Sequence, residues 1–126
     1  EIKITNYNIY PSLWNEENDR SLVLGFTIKD SKVLITGDAP QKIERQIIKD
    51  HPELRCNILK VGHHGSKTST DESFIKTLSP KVAIISCGRN NSYGHPHQLT
   101  LNTLNKYQIE IRRTDLEGTI KYSFLF

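Results

Sequence analysis

Three segments concentrate side chains that can bind a metal ion or move a proton: Thr36-Gly37-Asp38, the run GHHGSKTS from Gly62 to Ser69, and NNSYGHPH from Asn90 to His97. A carboxylate such as Asp38 is a hard oxygen donor able to bridge two divalent cations. The same residue type also serves as a turn residue or helix N-cap. Adjacent histidines, as at 63 and 64, are uncommon. Neutral imidazole is the commonest side-chain ligand for zinc and related ions, and flanking glycines permit a tight turn. On an extended chain neighbours point in opposite directions, so one of the pair is expected to bind metal while the other faces substrate or packs. Ser66 lacks the G-x-S-x-G surroundings of a nucleophilic serine. With Thr68 and Ser69 it reads as a source of turn hydrogen bonds, phosphate contacts or a helix cap. Arg89, Tyr93, His95 and His97 are groups that hold phosphate or transfer protons, set in a loop marked by Asn, Gly and Pro.

The elements around these segments place them at comparable positions. Ile2 to Tyr10 reads as a strand of mixed spacing and Trp14 to Arg20 as a turn. Ser21 to Lys29 and Lys32 to Thr36 form strands joined by an Asp30-Ser31 hairpin turn. Ile43, Ile47 and Ile48 recur at helical spacing over Gln41 to Asp50, and Pro52 ends that helix. Asn57 to Val61 is a short buried strand. Ser69 with Glu72 has capping-box spacing for a helix that Pro80 closes. Val82 to Ser86 is a strand, and Pro96 suits the first turn of a helix whose Leu101 and Leu104 face inward. Ile109 to Arg113 and Thr119 to Phe126 are read as closing strands. Strand–helix alternation makes the class α/β, and the hairpin makes the sheet mixed. Asp38, the His63–His64 pair and His95 each follow a strand, so they are expected to meet at one sheet edge.

Composition bounds the rest. The 126 residues, 36% apolar and 25% charged, suit a single globular unit over 1–126 with one modest core. No apolar run reaches membrane-spanning length. The chain begins at Glu1 and contains no Met, which reads as an excised piece of something longer. The net charge of +3 is too small to mark a nucleic-acid binder. Residues 57–97 nevertheless hold five basic and two acidic side chains, together with four of the five histidines. Cys56 and Cys87 form no metal motif or disulfide framework and are expected to be reduced.

In this order, NDRSLVLGF (18–26), VLITGDA (33–39), ILKVGHHGSKTS (58–69), PKVAIISCGRNNSYGHPH (80–97) and RRTDLEGTI (112–120) resemble the terminal metallo-β-lactamase-like domain of ComEC-type DNA-uptake proteins of competent bacteria. The resemblance spans residues 18 to 120. It implies the C-terminal half of an αββα sandwich, a mixed β-sheet flanked by helices, in a metal-dependent phosphodiesterase acting on DNA. It implies one or two divalent ions, zinc or manganese, with Asp38 as bridging ligand and His63 as ligand of the second ion. His64 would face substrate, and His95 would contact the scissile phosphate or act as an acid; these two are the expected catalytic pair. Lys67, Ser66, Arg89, Tyr93 and His97 would bind substrate. The parent would be a bacterial membrane protein with this domain on the extracytoplasmic side.

One departure limits the expectation. The superfamily's His-x-His/Asp-x-Asp-His cluster is absent from this chain, so the segment alone is expected to be inactive, to need the missing N-terminal half, and to self-associate across an exposed sheet face. Two alternatives stay open: a non-catalytic segment that binds DNA or a partner, and a stand-alone hydrolase of another phosphate ester.

Overall fold

The computed structural model describes residues 2–123, in which six strands and four helices follow one another as β1 (Ile4–Asn6), β2 (Leu24–Ile28), β3 (Ser31–Ile35), α1 (Gln41–Asp50), β4 (Ile58–Lys60), α2 (Glu72–Leu78), β5 (Val82–Ile85), α3 (Gln98–Lys106), β6 (Glu110–Arg113) and α4 (Thr114–Glu117). They form one sheet in sequential order, antiparallel from β1 to β3 and parallel from β3 to β6. The α/β class and mixed sheet match the sequence reading. Crossovers between parallel strands are right-handed. Parallel strands that advance in one direction therefore carry α1, α2 and α3 on the same face, where α1 packs on α2 and α2 on α3.

Alternation along the strands separates the two faces. Leu34, Leu59 and Ala83 pair across the sheet and are buried beneath the helices, with Val61 and Ile85 one step further along. Ile43 and Ile47 of α1, Phe74, Ile75 and Leu78 of α2, and Leu104 of α3 close this core. Full burial of each large aliphatic or aromatic side chain contributes roughly 1.5–3 kcal/mol. The opposite face is also apolar. Ile4, Phe26, Val33, Ile58 and Val82 lie in one cross-strand row, and Leu24, Ile35, Lys60, Ile84 and Arg112 in the next. Apart from exposed Ile4 these residues are half-buried, and Arg112 pairs with Glu117 of α4 at 2.7 Å.

Four boundaries differ from the sequence reading. The hairpin turn is Lys29-Asp30, with Ile28 opposite Ser31, because Lys29 takes the left-handed φ of 54° that such a two-residue turn requires. The N-cap of α2 is Asp71, whose carboxylate accepts the Ser73 N–H at 3.1 Å. Ser69 is instead drawn into the interior, its hydroxyl donating to the Ala39 carbonyl at 2.7 Å. Pro96 precedes α3, whose N-cap is His97. Residues 119–123 form no strand, the rest of that expected strand lies outside the described residues, and α4 was not anticipated. Both cysteines are free, and no described helix is long and apolar enough to cross a membrane.

Two buried polar knots hold the loops to this frame. Asn8 donates to the Asp19 and Ser21 carbonyls, both at 2.8 Å, and accepts the Trp14 indole N–H at 3.0 Å. Asp19 accepts the Asn15 and Glu16 N–H groups and pairs with Lys42 of α1 at 2.7 Å, the pairing that holds its pKa low. The second knot is Glu44. Its side chain, buried beneath residues 70 and 71, accepts the Thr70 and Asp71 N–H groups at 2.9 and 2.8 Å. Burial lifts its pKa to about 7 despite those two donors.

A raised native pKa means that folded Glu44 keeps a proton which the unfolded chain releases between pH about 4.5 and 7. Its contribution is thus complete below that window and is lost as pH rises through it. The unfolding free energy from denaturant titrations should accordingly fall by an amount on the order of 3 kcal/mol in the wild type relative to Glu44→Gln over this range. Parallel stability–pH profiles for the two proteins would contradict this.

Candidate functional site

The loops that follow β3, β4 and β5 emerge side by side because their parents pair in parallel with matched ends, Ile35 beside Lys60 and Lys60 beside Ile84. Backbone hydrogen bonds then join the loops directly. The His63 N–H donates to the Gly37 carbonyl at 2.8 Å, tying the second loop to the first. The His97 N–H and the Thr100 hydroxyl both donate to the Gly65 carbonyl, at 2.9 and 3.0 Å, tying the third to the second. Asp38 is held from behind by its own N–H, which donates to the Ser21 hydroxyl at 3.2 Å.

The His63–His64 pair is not extended. Both residues are left-handed, with φ 49° and 57°, and Gly65 follows at φ 82°. Consecutive non-glycine residues in this region cost about 1 kcal/mol or more each. The consequence corrects the sequence reading: the two side chains do not diverge. Ring centroids of His63 and His64 lie 6.3 Å apart, and His95 lies 5.8 Å from the first and 6.4 Å from the second. The pKa of His95 is lowered, first by burial and then by His63, His64 and His97, with the Asp38 charge opposing. Asp38, His63, His64 and His95 therefore share one rim, as expected.

Each of the two rings engages its Nδ1. His64 Nδ1 lies 2.7 Å from the Ser86 carbonyl, which can only accept, so Nδ1 carries the proton and a neutral ring leaves Nε2 as its open acceptor. His63 Nδ1 lies 3.3 Å from the Thr68 hydroxyl, which can donate or accept. Engagement of one ring nitrogen to fix the other is what a metal-ligating imidazole needs. Nevertheless, no group of three or more His, Cys, Asp or Glu side chains among the described residues is arranged to hold a metal ion.

The remaining predicted residues divide. Ser66 is buried, and its hydroxyl engages Thr68, so it stabilises the turn. His97 half-faces the site but spends Nδ1 on the Leu99 N–H at 3.1 Å as the cap of α3. Arg89 is exposed on the third loop and donates to the Asp115 carbonyl at 3.4 Å. Lys67 is exposed and lines a different concavity, of about 400 Å³, between α1, α2 and α3, which no histidine lines. Tyr93 is exposed and stacks on His95, centroids 5.7 Å apart and planes 22° apart.

Three supporting residues were not legible as such. Asn91 staples the third loop, accepting the His95 N–H at 3.0 Å and donating to the Gly88 and His95 carbonyls at 2.9 and 2.6 Å. Asparagine's habit of bonding nearby backbone was the available signal. Ser21 and Thr114, the latter accepting the Cys87 N–H at 2.9 Å, carry no local signature because their partners are distant in sequence. Burial, followed by a hydrogen bond to Asp115, raises the Cys87 thiol pKa, which opposes a nucleophilic role.

A mixed α/β segment that gathers three imidazoles and a carboxylate on its strand-end rim is the class that this geometry defines. No family profile matches the chain. Individual proteins do. The chain is 45% identical over 108 residues to ComE operon protein 3 of Bacillus subtilis (strain 168), covering 86% of the chain and 14% of that protein. It is 36% identical over 108 residues to Recombination protein 2 of Haemophilus influenzae, covering 86% and 14%, and 34% identical over 108 residues to Competence protein ComA of Neisseria gonorrhoeae, covering 85% and 16%. These proteins are homologues of this chain over most of its length, and the chain spans about one-seventh of theirs.

Gly65 tests the rim. A Cβ there would lie 2.7 Å from Pro96 Cβ, in a backbone conformation that already disfavours side chains. Gly65→Ala should destabilise the chain by about 2 kcal/mol or more, measured by chemical denaturation, and should shift the His63, His64 and His95 ring resonances. An unchanged midpoint with unchanged resonances would refute this assembly of the rim.

Proposed function

We propose that this chain is the C-terminal half of a metallo-β-lactamase-fold domain in a DNA-uptake protein, and that the complete domain is a metal-dependent phosphodiesterase handling DNA during transformation. The supporting observation is the meeting of Asp38, His63, His64 and His95 at one rim. The name of one relative, Competence protein ComA, supports the setting. Asp38 and His63 would each donate to a divalent ion, zinc or manganese, with further ligands from outside this chain. When bound, such ions supply Lewis-acid activation and offset charge developing on a phosphodiester. His95, with its lowered pKa, would stay neutral near pH 7 and contact the phosphate through a hydrogen bond or pass a proton. His64 would face the same group, and Arg89 would steer the strand's negative charge. The relatives' far greater length is consistent with a membrane-borne parent presenting this domain outside the cytoplasm.

A second reading has its own support. The lack of a converged metal-donor set among the described residues favours a segment that binds DNA or a partner without cleaving it. The complete protein separates the two. Asp38→Asn or His63→Ala should lower metal-dependent cleavage of DNA at least about a hundredfold, while the chain alone should retain no stoichiometric metal after dialysis. Unimpaired cleavage by both variants would overturn the assignment of Asp38 and His63, and a wild type without metal-dependent cleavage would overturn the enzyme reading.

The apolar sheet face turned away from α1, α2 and α3 supports the sandwich reading. A second sheet would cover Phe26, Val33, Ile58, Val82 and Ile84, and without it the chain should pair with itself. Sedimentation should show wild-type self-association that Phe26→Asp or Ile58→Asp abolishes. A wild-type monomer at all concentrations would count against an apolar face that requires a partner.

A further inference from the structure

A cavity of about 270 Å³ opens beside the histidine rim, bounded by His64, Cys87, Gly88, Asn91, Tyr93 and His95. Its walls are ring faces. Tyr93 stacks on His95 within 22°, and His95 lies within 18° of parallel to His64. Tyr93 leaves 80% of its surface to solvent, unusual for a large aromatic side chain fixed at the mouth of a cavity.

Part of the lining is fixed in advance. The Asn91 side chain is used on the Gly88 and His95 backbone, and His64 Nδ1 on the Ser86 carbonyl. These bonds hold the His95 backbone and the His64 ring in place before any ligand arrives. Stacking on such a surface tolerates any base, since every base has a π face.

We propose that this cavity is a stacking site for one unpaired nucleobase of a bound strand, packed against the Tyr93, His95 and His64 rings that line it and recognised by its face. The proposal rests on the phosphodiester reading above and deepens it. It assigns Tyr93 to the base, not to phosphate, and makes the strand at the rim locally single-stranded. Binding would be largely indifferent to sequence.

Gly88 provides a plug that spares the fold. A Cβ at this position would meet only Asn91 Cβ, at 3.9 Å, and its φ lies outside the left-handed region. Gly88→Leu should therefore fill the cavity with the loop intact, as circular dichroism would confirm.

The test compares fluorescence anisotropy of a short oligothymidylate with that of an abasic strand of equal length. Thymidylate should bind roughly 5- to 100-fold more tightly. Tyr93→Ala and Gly88→Leu should each erase the difference, and Tyr93→Phe should preserve it. Equal binding of both strands, unchanged in these variants, would overturn the stacking site and leave the phosphodiester reading standing. Binding of thymidylate but no measurable binding of the abasic strand would keep the stacking site and remove support for phosphate recognition. Absence of binding by either strand, with Gly88 and Asn91 amide resonances unmoved by thymidine, would overturn the proposal.

Discussion

The left-handed turn His63-His64-Gly65 is the constraint on which the rim depends. It is unfavourable in isolation, because two β-carbons occupy a region that suits glycine. It persists because the surrounding fold grips it from both sides. His63 bonds back to Gly37, the Gly65 carbonyl receives His97 and Thr100, and Pro96 packs where a Gly65 side chain would be. Each of those contacts also joins one catalytic candidate's loop to another's. The strain and the assembly of the site are thus the same set of interactions.

Behind the turn, the parallel pairing of β3, β4 and β5 supplies the alignment. Strands with matched ends deliver their loops to one edge without long excursions, which is why Asp38 and His95, 57 positions apart, come together in space. Helices α1, α2 and α3 contribute from one side. Glu44 of α1 fixes the loop after the histidines, and Lys42 of the same helix fixes the N-terminal segment through Asp19. The other sheet face, apolar and turned away from these three helices, is the counterpart of this one-sided arrangement.

Much of the fold was legible locally. The helix over Gln41–Asp50 follows from the spacing of Ile43 and Ile47, and both are buried as that spacing requires. The short strands at β4 and β5 follow from ILK and VAII between polar stretches. The errors have one character. Ser69 had the spacing of a cap, but the Ala39 carbonyl, 30 positions away, captured its hydroxyl. Pro96 had the look of a first-turn residue, but the helix begins after it, at the His97 cap.

The residue types and order alone determined which side chains carry chemical potential here, and that each follows a strand: Asp38 after β3, the histidine pair after β4, His95 after β5. These are properties of composition and period, which any segment of the chain expresses by itself. Only the tertiary structure decided how they face one another. The left-handed turn brings His63 and His64 to the same rim, where an extended chain would have parted them. Lys67 is carried to another groove, and Tyr93 is laid flat on His95. Those outcomes depend on hydrogen bonds and packing between residues dozens of positions apart, and no local pattern encodes them.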